Sequence, residues 1–311
     1  MLHDTAATLG CEVRAASPRA VRLRLAVGIA TAGRPVILAQ MLRRLRLQTR
    51  APDLVVVCAP TATDAEGAAD ASPGVVVLTG PRGLPRQRNA ILRHLAGYDV
   101  VVFFDDDFIA ADDYLAGVEQ IMLSNPGVVM TTGRILGDGI LGPGLTFEAA
   151  DAALHGVIAP APAPLDDVAN GYGCNMSVRL DPARTHALTF DERLPLYGWL
   201  EDVDFGQQLA RHGRVVRTDA TQGVHLGIKM GRQPGLKLGY SQVANPLYLM
   251  RKGTMGRARG LALMSRNIAM NMVRSFSPEP WVDRRGRLRG NGRALLDLAF
   301  GRLDPARIES F

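Results

Sequence analysis

Apolar blocks alternate with polar and helix-patterned stretches along the first 135 residues. Leu23 to Ile29 is apolar and long enough for one buried strand. Thr31-Ala32-Gly33-Arg34-Pro35 breaks it as a turn, and Pro35 suits the first position of a helix running to about Gln48. Asp53 to Cys58 predicts a second strand and Val75 to Thr79 a third. Gly83 to Leu95 carries a helix, Val100 to Phe104 a fourth strand, and Val128 to Arg134 another. Strand and helix in alternation predict an α/β fold, a parallel sheet with helices on its faces. Residues 137–168 are rich in Gly, Pro and Ala and read as loop with at most a short strand. Ala159 to Pro164 is the candidate flexible connection. Glu201 to His212, set between Gly198 and Gly213, predicts a short helix. From Lys237 onward the pattern is helical with breakers, closing on a short helix from Ala294 to Phe300. No internal repeat is present.

Composition changes this picture little. A chain of 311 residues with 47% hydrophobic residues can bury a large core. Charge changes it more. Residues 226–311 hold 16 Lys+Arg against 5 Asp+Glu, whereas residues 1–225 hold 20 against 25. A basic tail fits nucleic acid, anionic lipid or a phosphate-bearing substrate, or is simply a solvated surface. Aromatics are only 5% and do not interleave with basic residues, which argues against nucleic acid. Cys11, Cys58 and Cys174 are far apart, lack zinc-type spacing and cannot all pair, so a reducing, cytoplasmic setting is expected. Residues 1–20 lack the apolar centre of a signal peptide. No apolar stretch approaches the ~20 residues of a bilayer span. The longest, Leu261 to Val273, is interrupted by Ser265, Arg266, Asn267 and Asn271. With Arg257, Arg259, Arg266 and Arg274 it reads as a basic helix. It either lies on the inner face of an anionic membrane or packs on the core with its arginines in water.

The strongest candidate chemistry is Asp105-Asp106-Asp107 at the carboxyl end of the fourth strand. Ligands of open α/β sheets bind outside those strand ends. Three adjacent carboxylates repel unless a cation sits among them, and hard divalent metals take carboxylate oxygens together with substrate phosphates. The bland reading is a helix cap, for which one Asp suffices. A second acidic cluster, Glu201-Asp202-Val203-Asp204, opens the later helix. Acids there also suit the helix dipole. Neighbouring helical side chains point about 100° apart, so Glu201 and Asp202 cannot share a role.

Six pieces in order give the chain its resemblance to a family 2 glycosyltransferase of the GT-A fold. They are Val27 to Pro35, the Arg88-Asn89 helix start, the Asp triplet, Gly171 to Arg179, the Phe190-Asp191-Glu192 to Glu201-Asp202 segment, and His225. Asn245-Pro246-Leu247-Tyr248 and Asp283 to Arg287 also resemble members that assemble bacterial polysaccharide. The resemblance implies a Rossmann-like, mostly parallel sheet flanked by helices, with a catalytic domain over 23–236. Residues 1–22 stand before it as an N-terminal segment and 237–311 after it as a basic helical extension. It implies that Asp107 and His225 bind Mg²⁺ or Mn²⁺, with Thr31, Arg34, Arg88, Asp105 and Asp106 around the nucleotide-sugar. Asp202 matches the catalytic base, and Asn175, Trp199 and Glu201 fall on the sugar and acceptor side. The acceptor is then a glycan or lipid-linked saccharide, and the transfer inverts the anomeric centre.

One position departs from the family. Many members carry an Asp at the end of the second strand, against the nucleotide base. Here Val55-Val56-Val57 leads to Cys58-Ala59-Pro60, with Asp64 only in the following loop. A thiol does not replace that acceptor, so GDP- and dTDP-sugars stay open beside UDP-sugars. Two rivals remain. A haloacid-dehalogenase-type phosphatase expects its Asp-x-Asp on the first strand. A non-catalytic protein that binds a nucleotide-sugar or an anionic glycan has no need of Asp202.

Overall fold

The computed structural model describes residues 22–160, 163–230 and 234–311. Residues 1–21, with Cys11, and the middle of the Ala159–Pro164 connection lie outside the described residues. The first half alternates as the pattern predicts. It runs β1 (Leu25–Ala30), α1 (Pro35–Leu45), β2 (Leu54–Ala59), α2 (Ala68–Ala71), β3 (Val76–Thr79), α3 (Leu84–His94) and β4 (Val100–Asp105). Then come β5 (Phe108–Ala110), α4 (Tyr114–Ser124), β6 (Val128–Asp138), α5 (Phe147–Leu154), β7 (Leu165–Asp167), β8 (Asn175–Arg179) and α6 (Leu180–Thr185). The chain continues with α7 (Glu201–Leu209), β9 (Arg214–His225), α8 (Gly235–Lys252), α9 (Arg257–Arg274) and α10 (Arg284–Ala299).

All nine strands join one sheet in the order β3-β2-β1-β4-β8-β6-β9-β5, with β7 added on β9. The strands β3, β2, β1 and β4 are parallel, as βαβ units require. β8 enters antiparallel between β4 and β6, and β6 and β9 run parallel to each other. Of these, β1, β2 and β4 carry continuous apolar runs because both sheet faces are covered there, while the edge strand β3 is partly exposed. Leu25, Val27 and Ile29 of β1 point to the face held by Leu38, Met41 and Leu42 of α1. Ala26 lies on the other face with Ile91 of α3 and Phe103 of β4. Each fully buried Leu, Val or Phe contributes about 1.5–3 kcal/mol. Gly28 is needed on that second face: a Cβ there would stand 2.9 Å from Ile91 and 3.1 Å from Phe103.

The region 137–168 is more ordered than its composition suggests. β6 runs four residues past Arg134 to Asp138, α5 is capped by Thr146, and β7 supplies the short strand. The predicted helix after Gly198 ends at Leu209, three residues early.

Among the described residues the tail forms three helices, of which α8 packs on α7 and the 191–200 segment before it. α8 and α10 approach closely because Gly239 faces the Arg287 backbone and Gly290 faces Leu236. Buried Asn271 of α9 donates to Gln242 and Asn291 at 2.8 Å each, tying all three helices. Leu249 of α8 packs on Val203 of α7, and Lys252 reaches Asp191 and Asp204 at 2.6 and 2.7 Å. No helix among the described residues is long and apolar enough to cross a membrane.

Candidate active site

Strand register builds the first half of the site. β1 and β4 pair Ala30 with Asp105, so the turn after β1 lands on the Asp triplet. Thr31 donates its hydroxyl to Asp106 at 2.7 Å, and Arg34 lies 2.7 Å from Asp106 and 3.4 Å from Asp107. β5 leaves the triplet at once and pairs Phe108 with His225 of β9. β6 pairs Asp138 with the same His225. Three strand ends therefore meet around one imidazole. His225 Nε2 is 3.5 Å from Asp107, and Nδ1 is 3.0 Å from Asp138. The Ile228 backbone N–H closes on Asp107 at 2.8 Å.

Charge in this corner is balanced by the protein. Burial works against the Asp107 carboxylate, yet the His225 hydrogen bond and the Arg34 charge hold it down at about 2. Burial also pulls His225 down, but Asp107 and Asp138 together raise it to about 10. Burial pushes Asp106 up, with Arg34 opposing. Asp105, Asp107 and His225 each offer one ligand atom, and these atoms lie within 4.8 Å of one another. Two carboxylates and an imidazole at that spacing fit a divalent cation that takes the place of the imidazole's proton, with imidazole favouring Mn²⁺ over Mg²⁺.

The second half is built on α7. Residues 195–200 bend sharply into it: Leu196 and Leu200 hold φ of 59° and 75°, and Gly198 holds 62°. Left-handed backbone at two leucines is strain of about 1–2 kcal/mol each. It delivers Glu201 and Asp202 at the helix start. Glu201 is buried against Arg88, which also donates to Asp105 at 3.1 Å and to the Gly173 carbonyl at 2.7 Å. Burial pushes Glu201 up to about 8 despite Arg88. Asp202 is half-buried and accepts the Gly173 N–H at 3.0 Å and the Val203 N–H at 2.8 Å. Burial raises its pKa, with those backbone N–H groups and Arg88 opposing.

Gly173 thus joins the two halves. Its carbonyl takes Arg88, the partner of Asp105, and its N–H holds Asp202. A Cβ here would stand 3.3 Å from Glu201 and 3.4 Å from Asp202.

The structure brings Asp105, Asp107, His225, Glu201, Asp202, Thr31 and Arg34 together. It turns three expected residues inward. Arg88 is 1% exposed and its guanidinium is taken by three protein partners. Asp106 is 0% exposed and holds the turn after β1. Asn175 is fully buried, with its amide bonded to Thr132 and to the Gly133 carbonyl. Trp199 is half-buried in the bend before α7, its carbonyl accepting from Asn245 at 2.7 Å. Asp204 is structural, accepting Thr254, Lys252 and Gln208. Cys58 is buried, and burial pushes its thiol up to about 11.

Asp138 and Tyr172 escape the sequence reading. Tyr172 donates to Asp138 at 3.1 Å and its ring meets His225 edge-on at 6.0 Å. The signal for Asp138 is the continuation Ile135-Leu136-Gly137 past Arg134, which repeats the apolar-run-then-Asp pattern of β4.

No protein-family model matches the chain, and no curated protein matches it by sequence. Solved structures do. The chain is similar to TarS 1–349 from S. aureus, with a TM-score of 0.52 at 14% identity over 93% of this chain and 90% of that one. It is similar to the mannosyltransferase PcManGT from Pyrobaculum calidifontis, solved with GDP-Man and Mn²⁺. That TM-score is 0.50 at 15% identity, over 93% of this chain and 86% of the other. The likeness is one of architecture: an α/β sheet of the GT-A type flanked by helices, with a helical C-terminal part.

Proposed function

We propose that this chain is an inverting, metal-dependent glycosyltransferase of the family 2, hexosyltransferase type. It moves a sugar from a nucleotide donor to a hydroxyl of a glycan or lipid-linked saccharide, in bacterial polysaccharide synthesis. One observation carries the reading: Asp202 is linked through the backbone of Gly173 and the Arg88 side chain to Asp105, one of three residues whose ligand atoms are spaced to take a cation. The fold neighbour solved with GDP-Man and Mn²⁺ supports the same pairing of donor and metal.

Asp105, Asp107 and His225 would hold the ion. A bound Mg²⁺ or Mn²⁺ supplies neutralisation of the charge on the leaving diphosphate. The chain's own residues do the rest. Arg34 keeps Asp107 ionised and in place, and Asp138 orients the imidazole of His225. The acceptor hydroxyl gives its proton to an Asp202 carboxylate oxygen as its own oxygen bonds to the anomeric carbon. The bond from that carbon to the diphosphate oxygen breaks, and its electron pair leaves with the nucleoside diphosphate. A single displacement inverts the centre, through a transition state of oxocarbenium character. Glu201 and Arg88 position Asp202, and Thr31 with Asp106 fixes the nucleotide-side turn.

The test is turnover of UDP-, GDP- and dTDP-hexoses with Mn²⁺ and saccharide acceptors, reading nucleotide release and product configuration by NMR. Release with an inverted product is expected. Retained configuration contradicts the role of Asp202. Nucleotide binding without release from any donor favours a non-catalytic binding protein.

A further inference from the structure

α9 turns an apolar face to the outside. Its inner face is small: only Gly260 and Asn271 are fully buried, with Leu263, Met264 and Ile268 packed partly on their neighbours. On the helical period, Leu261, Ala262, Ala269, Met272 and Val273 fall within an arc of about 120° on the opposite side, with Ser265 the polar residue among them. All five are exposed, and Phe276 just beyond the helix is 85% exposed. Scattered exposed apolar residues are ordinary, but a continuous outward stripe marks an interaction surface.

The charge on this helix has one sign. α9 holds four arginines and no Asp or Glu. Arg274 lies 3.9 Å from Glu279 and Arg259 donates to Asn170. Arg257 and Arg266 have no ion pair or hydrogen bond with any described residue.

Past α9, Trp281 donates its indole N–H to the Leu141 carbonyl at 3.3 Å, and the Leu141 side chain is 87% exposed. That loop begins one residue after Asp138 and is clasped by Lys229, which donates to the Gly139 and Ile140 carbonyls at 2.9 Å.

A second copy docked on this face would set its arginines against their like. A nucleic acid would leave Met272, Val273 and Phe276 without an apolar partner. An anionic bilayer satisfies both features, arginines against phosphate headgroups and apolar side chains at the acyl boundary, with indole at the interface. We propose that the outward face of α9, extended by Phe276, Trp281 and Leu141, docks on an anionic lipid bilayer and brings the rim beside Asp138 to the headgroup level.

The full-length chain is sedimented with phosphatidylcholine vesicles, with and without phosphatidylglycerol. The assay uses no donor, metal or acceptor, so its failure is separate from any failure of the transferase reading. Binding only to vesicles containing phosphatidylglycerol, weakened by salt, is expected. Met272→Glu with Val273→Glu, and separately Arg257→Glu with Arg266→Glu, should each weaken it by about tenfold or more. Thermal unfolding should stay unchanged, because these side chains are exposed. No binding to either vesicle, or equal binding by both variants, overturns the proposal. So does a concentration-dependent dimer that the same substitutions disperse.

Discussion

The two acidic clusters solve the same electrostatic problem differently. At the strand ends, side chains of opposite charge surround the acids: Arg34 faces Asp106 and Asp107, and His225 stands between Asp107 and Asp138. At the start of α7, Glu201 is paired with buried Arg88, and Asp202 accepts two backbone N–H groups with no side-chain cation in direct contact. Of the strand-end acids, Asp107 is held down by its His225 and Arg34 partners against burial, whereas burial pushes Asp106 up. Burial raises the pKa of Asp202, with its two N–H groups and the more distant Arg88 charge opposing. On the proposed function, the first cluster is the corner for holding and the second the corner for chemistry.

Substitutions can break or sharpen that separation. The largest effect is expected at Asp202. Asp202→Asn keeps the size and one of the two N–H contacts, which fall on different carboxylate oxygens, but removes the proton acceptor, so transfer should fall by about 10²–10⁴-fold. Unchanged turnover would move the chemistry elsewhere.

Next comes Arg88. Arg88→Met leaves Glu201 buried without its counter-charge and should lower unfolding free energy by about 3–5 kcal/mol, measured in urea. Arg34→Met should cost less, because Arg34 is partly open to water. An equal loss at both would erase the contrast.

Asp138→Asn should weaken Mn²⁺ binding by about 10–100-fold in calorimetry, as loss of a partner that orients a metal-binding histidine does. An unchanged affinity would remove Asp138 from the site.

The smallest effect is on pH. Asp202 works only when ionised, and its raised pKa means the rate should fall on acidification from a higher pH than an ordinary carboxylate allows. The sign for stability is opposite. The folded state holds this proton more tightly than the unfolded chain, so the group favours folding at low pH and that contribution fades as pH rises through the folded value. A pH–rate profile whose acid limb matches an unperturbed Asp would contradict the burial of this group.

The parallel half of the sheet is legible because β1, β2 and β4 are buried on both faces and read as plain apolar runs. Asp105 and Asp202 are legible because acids stand where a strand ends or a helix begins. β9 is less so: Thr218-Asp219-Ala220-Thr221-Gln222 interrupts its apolar pattern, since β9 changes partners there with a bulge against β6. Asp138 hides behind a glycine-rich stretch that resembles loop. Arg88 looks like a ligand contact in sequence, yet its long side chain folds inward between two aromatic rings, Phe103 and Phe190. Residue type names the chemistry, but only packing decides which partner receives it.

The most direct measurement is thermal unfolding with UDP, GDP, dTDP and CMP, each with and without Mn²⁺, on wild type, Asp107→Ala and Asp202→Asn. A ligand at 100 times its Kd stabilises the folded state by about 2.7 kcal/mol. The separation of holding from chemistry predicts one nucleotide whose stabilisation needs Mn²⁺, is lost in Asp107→Ala and is kept in Asp202→Asn. Stabilisation that is independent of metal, or that survives Asp107→Ala and disappears in Asp202→Asn, would contradict it.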